Sequence, residues 1–360
     1  MSARVIVIEG DGVGPEVVRA TLRVLDATGI AFEWERHVVG EQAYRRTGTA
    51  LPAAVVDAIR ESGVALKGPT ATPVGAPFAS VNVALRRELD LYTGIRPSRA
   101  FDGVAGARAG TDLVVMRMNH QDLYAGLGYA PGEPATAELL NRVSQDLGVR
   151  FGADTGLSLK PISRSEALRV SRAAMRFAER HGRSRVTVVH KANVMPETDG
   201  VFLAAAREAA QDHPLLHVDD LLVDSACADL VRRPAEHDVM LLPTLYGDIV
   251  SDIAGALVGG LGLAPGANLG DGCAVFEPVH GVVSKHAGRD RVNPIATVLS
   301  GAMLLGHLGH AESAARVGDA VEHVIRDGTT LTYDLADGRP AGTSAVADAI
   351  VARLKGGDGA

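Results

Sequence analysis

"RVIVIEGDGVGPEVVRATLRVLDATG", residues 4–29, decides the class of fold. The apolar run "VIVI" reads as a strand and the glycines that follow read as a turn. A helix then begins where Pro15 suits the first turn and Glu16 suits the positive end of the helix dipole, with Gly29 suited to a C-cap. The same alternation runs on. "LPAAVVDAIRESG", "NVALRRELDL" and "SEALRVSRAAMRFAERHG" have helical patterning, whereas "VALKGP", "TDLVVMR" and "SRVTVVHKANV" read as strands. Repeated βα units predict an α/β architecture with a partly parallel sheet. "GDGVG" lacks the spacing of a dinucleotide fingerprint, and no acidic ribose ligand ends a second strand, so the turn is read as a tight turn and any nucleotide is expected elsewhere.

At 360 residues the chain exceeds what one core usually serves, so two lobes are expected. No repeat, low-complexity tract or linker separates them, which predicts a second lobe inserted within the first. A net charge of −7 without a basic run gives no footprint for nucleic acid. The longest apolar stretch, "IAGALVGGLGLAPGANLG", carries several glycines and a proline and predicts no membrane helix. Cys227 and Cys273 form no disulfide framework or metal-ligand spacing and are read as buried small hydrophobes. "MSAR" runs straight into a strand without a leader pattern, so the cytoplasm is the expected address. The tail "KGGDGA" is expected to fray.

Three groups of residues carry chemistry. Asp248 and Asp252 in "LPTLYGDIVSDIAG" are four apart, share one helical face and sit among apolar flanks, a setting for a hard cation such as Mg²⁺ or Mn²⁺. Asp224, ending the apolar run in "LLVDSACADL", is a third carboxylate. Ser80, Asn82, Arg86 and Arg96 in "SVNVALRRELDLYTGIRP", with Arg117 of "MRMNHQDLYAG", form a cationic and polar set suited to a polyanionic acid. Arg86 and Arg87 cannot both face one pocket. Lys191, at the end of "TVVHK", becomes a general base if a metal and arginines depress its pKa.

Together these segments resemble the β-decarboxylating dehydrogenases, the family of isocitrate, isopropylmalate, homoisocitrate and tartrate dehydrogenases. The likeness runs in order through "GDGVGPEV", "LKGPTATPVG", "SVNVALRRELDLYTGIRP", "QDLYAG", "VHKANVM", "LYGDIVSDIAGALVGGLGLAPGANLGD", "AVFEPVHG" and "VNPIATVLSGAMLLGHLG". It implies an isopropylmalate/isocitrate dehydrogenase-like α/β fold rather than a standard Rossmann fold, with two lobes sharing a mixed sheet. Residues 1–99 plus 259–360 would form the large lobe, carrying the cofactor and the N-terminal substrate loop. Residues 100–258 would form the small inserted lobe, carrying dimerisation, metal and catalytic residues. The resemblance also implies a homodimer with shared active sites, in which Asp248 and Asp252 of one subunit meet Asp224 and Lys191 of the other. It favours Arg86 over Arg87. Oxidation at the 2-hydroxyl would use Lys191 as base, directly or through a water. Tyr124 would protonate the enolate left after loss of CO₂, and Mg²⁺ or Mn²⁺ would assist both stages.

Ser80 and Asn82 match the isocitrate-type pattern, where isopropylmalate enzymes place apolar residues. Relatives that use isocitrate commonly read R-E-N-T-E-D-L-Y where this chain reads R-M-N-H-Q-D-L-Y, so Met118, His120 and Gln121 replace Glu, Thr and Glu. Two readings stand: neutral drift in an isocitrate enzyme, or a side arm more highly charged than a carboxylate, such as a phosphonomethylmalate. Homoisocitrate, isopropylmalate and tartrate types, and a silent regulatory subunit, complete the alternatives. The last is disfavoured because Asp224, Asp248, Asp252, Tyr124 and Lys191 are all present. In "EPVHGVVSKHAGRDRVNP", Lys285 stands where NAD-preferring relatives usually place Asp and His286 replaces the usual tyrosine, a pair that would attract a 2′-phosphate, and Val292 and Tyr333 also fit the NADP type. NADP is therefore favoured with NAD retained as an option, although Asp337 stands where many NADP enzymes have an arginine. His280 and Asn293 match positions that contact adenosine; Glu277 and Gly281 complete the loop.

Overall fold

The computed structural model describes residues 2–72, 78 and 80–356; of the tail "KGGDGA" Lys355 and Gly356 end the helix Thr343–Gly356, and the rest, with part of "LKGPTATPVG", lies outside the described residues. Among the described residues twelve strands are formed: β1 Ala3–Ile8, β2 Phe32–His37, β3 Val64–Lys67, β4 Thr93–Arg99, β5 Asp112–Met118, β6 Gly128–Tyr129, β7 Leu157–Ser158, β8 Arg185–His190, β9 His217–Leu222, β10 Val239–Leu242, β11 Ala267–Leu269 and β12 Ala274–Phe276. Ten of them make one sheet in the order β2-β1-β3-β12-β11-β4-β5-β10-β8-β9, and β6 pairs with β7 apart. The pairs β2-β1-β3-β12 and β5-β10-β8-β9 are parallel, whereas β12-β11, β11-β4 and β4-β5 are antiparallel. One parallel half comes from the two ends of the described chain and the other from its middle. They meet at β4 and β5, whose register brings Gly94 opposite Arg117 and Arg96 opposite Val115.

Strand periodicity explains the unbroken apolar runs. In β1, Val5 and Val7 face a core shared with the helices Gly14–Asp26, Ile295–His307 and Thr343–Gly356, while Ile6 and Ile8 face a second core with the helix Ala53–Ser62. A strand covered on both faces has no polar side to show. β5 repeats the pattern: Val114, Met116 and Met118 join the first core, and Leu113 and Val115 pack in a third with the helix Thr244–Leu257.

The turn "GDGVG" is a structural clamp. Gly10 and Gly12 have positive φ values of 76° and 59°, and a Cβ on them would lie 2.1 Å from the Pro69 carbonyl oxygen and 2.2 Å from that of Val282. Asp11 N–H donates to Pro69 and Val13 N–H to Val282, so the turn ties two distant loops together at backbone contact. Two local expectations change. The first helix ends at Asp26, with Ala27 as its cap, and Gly29 serves the turn beyond. The two thiols are free but half-buried, Cys227 against the third core and Cys273 against the second, because each packs at the rim of its cluster. Among the described residues, no helix is long and apolar enough to cross a membrane.

Candidate active site

The site grows from the C-terminal end of β5. Arg117 points into the interior and is fully buried. Room for it is made by two glycines: a Cβ on Gly94 would lie 2.9 Å from the Arg117 Cγ, and one on Gly247 would lie 2.4 Å from the Arg117 Cβ. Gly247 thus lets the helix Thr244–Leu257 seat its next residue, Asp248, against the guanidinium. Asp248 Oδ1 accepts from Arg117 and lies 2.8 Å from Arg96 Nη1, and Oδ2 accepts from the Tyr124 hydroxyl. Arg96 also donates to Ser251 Oγ at 2.6 Å, and the Arg117 guanidinium lies 5.2 Å from the Tyr124 ring centroid. Burial, then repulsion from Arg96 and Arg86, lowers the pKa of Arg117 well below the ordinary arginine range. Its Nη2 is buried with no partner. Unpaired buried donors are costly, and this one is free to meet an anion.

A second charged cluster lies beside it. Glu277, at the end of β12, accepts from Lys67 at 2.5 Å, Asn268 at 2.7 Å and Arg86 at 3.3 Å. Burial alone would raise the Glu277 carboxyl, but Lys67 and Arg86 pull it down to about 2. Between the clusters opens a cleft of about 110 Å³, lined by Thr70, Asn82, Arg86, Arg96, Glu277 and Gly281 among others. Arg86 is buried and lines the cleft, whereas Arg87 is exposed. Asn82 accepts from the Thr70 hydroxyl at 2.9 Å. Ser80 precedes the helix Val81–Glu88 without capping it by its side chain.

Lys191 follows β8 and pairs with Asp224 in the first turn of the helix Val223–Arg232, which holds the Asp224 carboxyl below its usual range. Asp248 and Asp252 share a face of their helix, as their spacing predicts. Asp252 is exposed and bonded to none of the described residues, so its oxygens are open to a cation. Within one chain, no three metal-ligating side chains among the described residues come together, so Asp224 does not complete the pair from the same subunit. The donors are hard oxygens, which fit Mg²⁺ or Mn²⁺.

The cofactor set divides. Gly281 lines the cleft and His280 is buried beside it, its pKa lowered by burial and its Nε2 without a partner. Lys285 and His286 lie on a short turn of helix, and the His286 ring stands 5.1 Å from that of Tyr333. Arg291, unremarked in the sequence, has its guanidinium 5.0 Å from the Tyr333 ring centroid. Desolvation, then the charges of Lys285, Arg291 and Arg289, lower the pKa of His286. Val292 is buried with Val13 and Val17, and Asn293 is occupied with Asp334 and with the N–H of Ile295, so these two shape the loop from beneath.

Met118, His120 and Gln121 are not among the residues lining the cleft. Met118 is a core residue, Gln121 exchanges bonds with Ser163 at the start of the helix Arg164–Arg180, and His120 Nε2 lies 3.0 Å from the Arg86 carbonyl oxygen. A charge argument resting on these three therefore lacks geometric support. Sequence reading passed over Lys67, Lys160 and Asp199 and gave Asp122 of "MRMNHQDLYAG" no role. The usable signal was a charged residue bordering an apolar run, clearest at Lys67 in "VALKGP".

Residues 4–350 match the isocitrate/isopropylmalate dehydrogenase family. The chain is 41% identical to the isocitrate/homoisocitrate dehydrogenase of Thermus thermophilus over 99% of both proteins. It is 38% identical to the NADP isocitrate dehydrogenase of Archaeoglobus fulgidus, over 96% of this chain and 92% of the relative. The crystal structure of isocitrate dehydrogenase from Methylococcus capsulatus superposes with a TM-score of 0.90 at 38% identity, covering 99% of this chain and 100% of that one. Motif order, sheet topology and these likenesses agree, and the chain belongs to the isocitrate/isopropylmalate dehydrogenase family.

Proposed function

We propose that this chain catalyses the oxidative decarboxylation of an isocitrate-like 2-hydroxy-3-carboxy acid with hydride transfer to NADP, NAD serving less well. The observation that carries this is the cluster of Arg86, Arg96 and Arg117 beside one cleft, with a buried guanidinium nitrogen left unbonded. Asp248 supplies the only carboxylate that Arg117 contacts among the described residues, a stand-in for the carboxylates of a substrate. Arg86, Arg96 and Arg117 hold those carboxylates, and Ser80 and Asn82 meet the side arm. Lys191 removes the 2-hydroxyl proton, and Tyr124 returns a proton to C3 once the β-carboxylate has left as CO₂. When bound, a divalent cation held by Asp248 and Asp252 with Asp224 supplies Lewis acidity at the 2-oxygen, and a nicotinamide supplies the hydride acceptor.

The pairing of Lys191 with Asp224, away from Asp248, supports a homodimer in which each site draws these two residues from the other subunit. Exposed Leu123, Val194 and Ile249, each near a site residue in sequence, supply apolar surface for that contact. In this reading residues 1–99 plus 259–360 and residues 100–258 act as separate lobes about the β4-β5 junction. Half-buried unpaired thiols fit a reducing compartment, the cytoplasm.

The test is nicotinamide reduction by the purified chain with Mg²⁺ or Mn²⁺, offering isocitrate, homoisocitrate, isopropylmalate, tartrate and 2-phosphonomethylmalate with either nucleotide. Isocitrate with NADP is expected to give the highest kcat/KM. Preference for the phosphonate would overturn the substrate assignment, and silence with every acid would favour a regulatory subunit.

A further inference from the structure

Behind the site lies a buried polar group that the chemistry above does not use. Asp122 and Asp199 are both fully buried carboxylates, and the Lys160 ammonium sits between them, paired with Asp199 and 3.8 Å from Asp122 Oδ1. The same nitrogen lies 3.4 Å from the Tyr246 hydroxyl and 4.6 Å from the centre of its ring. Each carboxylate also grips backbone that carries a reacting group. Asp122 Oδ2 accepts from the N–H of Leu245 at 2.8 Å, in the first turn of the Asp248 helix, and Asp122 lies two residues before Tyr124. Asp199 Oδ2 accepts from the N–H of Lys191 at 2.7 Å. The turn bearing Tyr124 is strained, with φ of 22° at Gln121 and 58° at Asp122, and such a turn persists only where its surroundings hold it.

We propose that Lys160 is a positioning residue: through Asp122 and Asp199 it fixes Tyr124, the Asp248 helix and Lys191 relative to one another. Each carboxylate also lies at a helix N-terminus, Asp122 against Thr244–Leu257 and Asp199 at the start of Asp199–Ala210, where the helix dipole favours negative charge. Removing the cation leaves them repelling each other, and the turn and the strand end lose their common anchor. The inference rests on the reading of Tyr124 and Lys191 as the proton-transfer groups. In a dimer with shared sites these two residues of one chain serve different sites, so one lysine sets both.

The experiment uses the full-length protein carrying Lys160→Gln, Lys160→Arg or Asp199→Asn, with Tyr124→Phe and Lys191→Gln as references. Steady-state kinetics are measured with the preferred acid, and exchange of the C3 protons of the 2-oxo product with D₂O is followed by NMR. Misplacement of reacting groups by about 1 Å costs about 100-fold, so Lys160→Gln is expected to lower kcat about 100-fold with KM within about threefold. Proton exchange should slow in parallel, and Lys160→Arg should recover most of the loss. If Lys160→Gln does not fold, Asp199→Asn, which keeps shape and removes charge, is expected to show the same kcat loss at unchanged KM. A kcat within about threefold of wild type in the folded variant, or a loss confined to KM, overturns the proposal while the reference variants remain impaired. Full activity of Tyr124→Phe and Lys191→Gln would instead remove the reading on which it stands.

Discussion

Two charged corners flank the same cleft and are built on opposite principles. At Glu277 a single carboxylate is surrounded by Lys67, Arg86 and Asn268, and both of its oxygens are bonded. At Asp248 two guanidiniums and a phenol crowd one carboxylate, and a buried nitrogen of Arg117 remains unbonded. The first corner is electrostatically complete and the second has donors to spare. A closed ion cluster should announce itself in stability, because removing one partner strands the others in low dielectric. An open one should announce itself in ligand binding and turnover.

The largest effect is expected at the open corner. Tyr124→Phe should lower kcat by about 10²–10⁴-fold, the usual worth of a general acid, with melting behaviour nearly unchanged because only one hydrogen bond to Asp248 is lost. Equal loss of stability and rate would erase the distinction. Next comes Glu277→Gln, which leaves Lys67 and Arg86 without their counter-ion and should cost about 3–5 kcal/mol in urea unfolding. The sign with pH follows from a carboxyl pulled from 4.5 down to about 2. Its contribution is complete above about pH 4.5 and is lost as pH falls toward 2, so the variant should show a flatter acid limb over that window. An unchanged limb would mean that Lys67 does not hold Glu277 in solution. Third, the substrate acid at about 100 times its Kd should stabilise the protein by about 2.7 kcal/mol in a thermal melt. Arg117→Met should abolish that shift, whereas a retained shift would show that the unbonded guanidinium is not the anion site.

What could be read beforehand follows the same division. The βα alternation, the i,i+4 spacing of Asp248 and Asp252 and the inward turn of Arg86 rest on local periodicity or on motif resemblance, and both survive in a sequence. The junction of two parallel half-sheets through antiparallel β11, β4 and β5 depends on pairings such as Ala267 with Ile95, far apart along the chain. Lys67 drew no role because its partner Glu277 is 210 residues away. The three departures at the end of β5 and just beyond it teach a related point. A change of residue type says nothing about direction, and Met118, His120 and Gln121 turn toward the core, the Arg86 carbonyl and Ser163.

The smallest effect should lie at the proposed nucleotide end, where the sequence lacked an expected arginine because Asp337 stands at its place. Arg291 stands on another segment, its guanidinium beside the Tyr333 ring and close enough to His286 for its charge to be felt there. A guanidinium and a histidine beside one tyrosine, with the Lys285 charge acting on that histidine, favour a phosphate dianion over a bare ribose diol. Because the guanidinium is exposed, its contribution is screened and should be modest. Arg291→Gln is expected to weaken binding of 2′,5′-ADP about tenfold by calorimetry, roughly 1.4 kcal/mol, while leaving 5′-ADP unchanged. Equal weakening of both would make Arg291 a general support of the loop through Tyr333. No change in either would leave Lys285 and His286 as the discriminating pair.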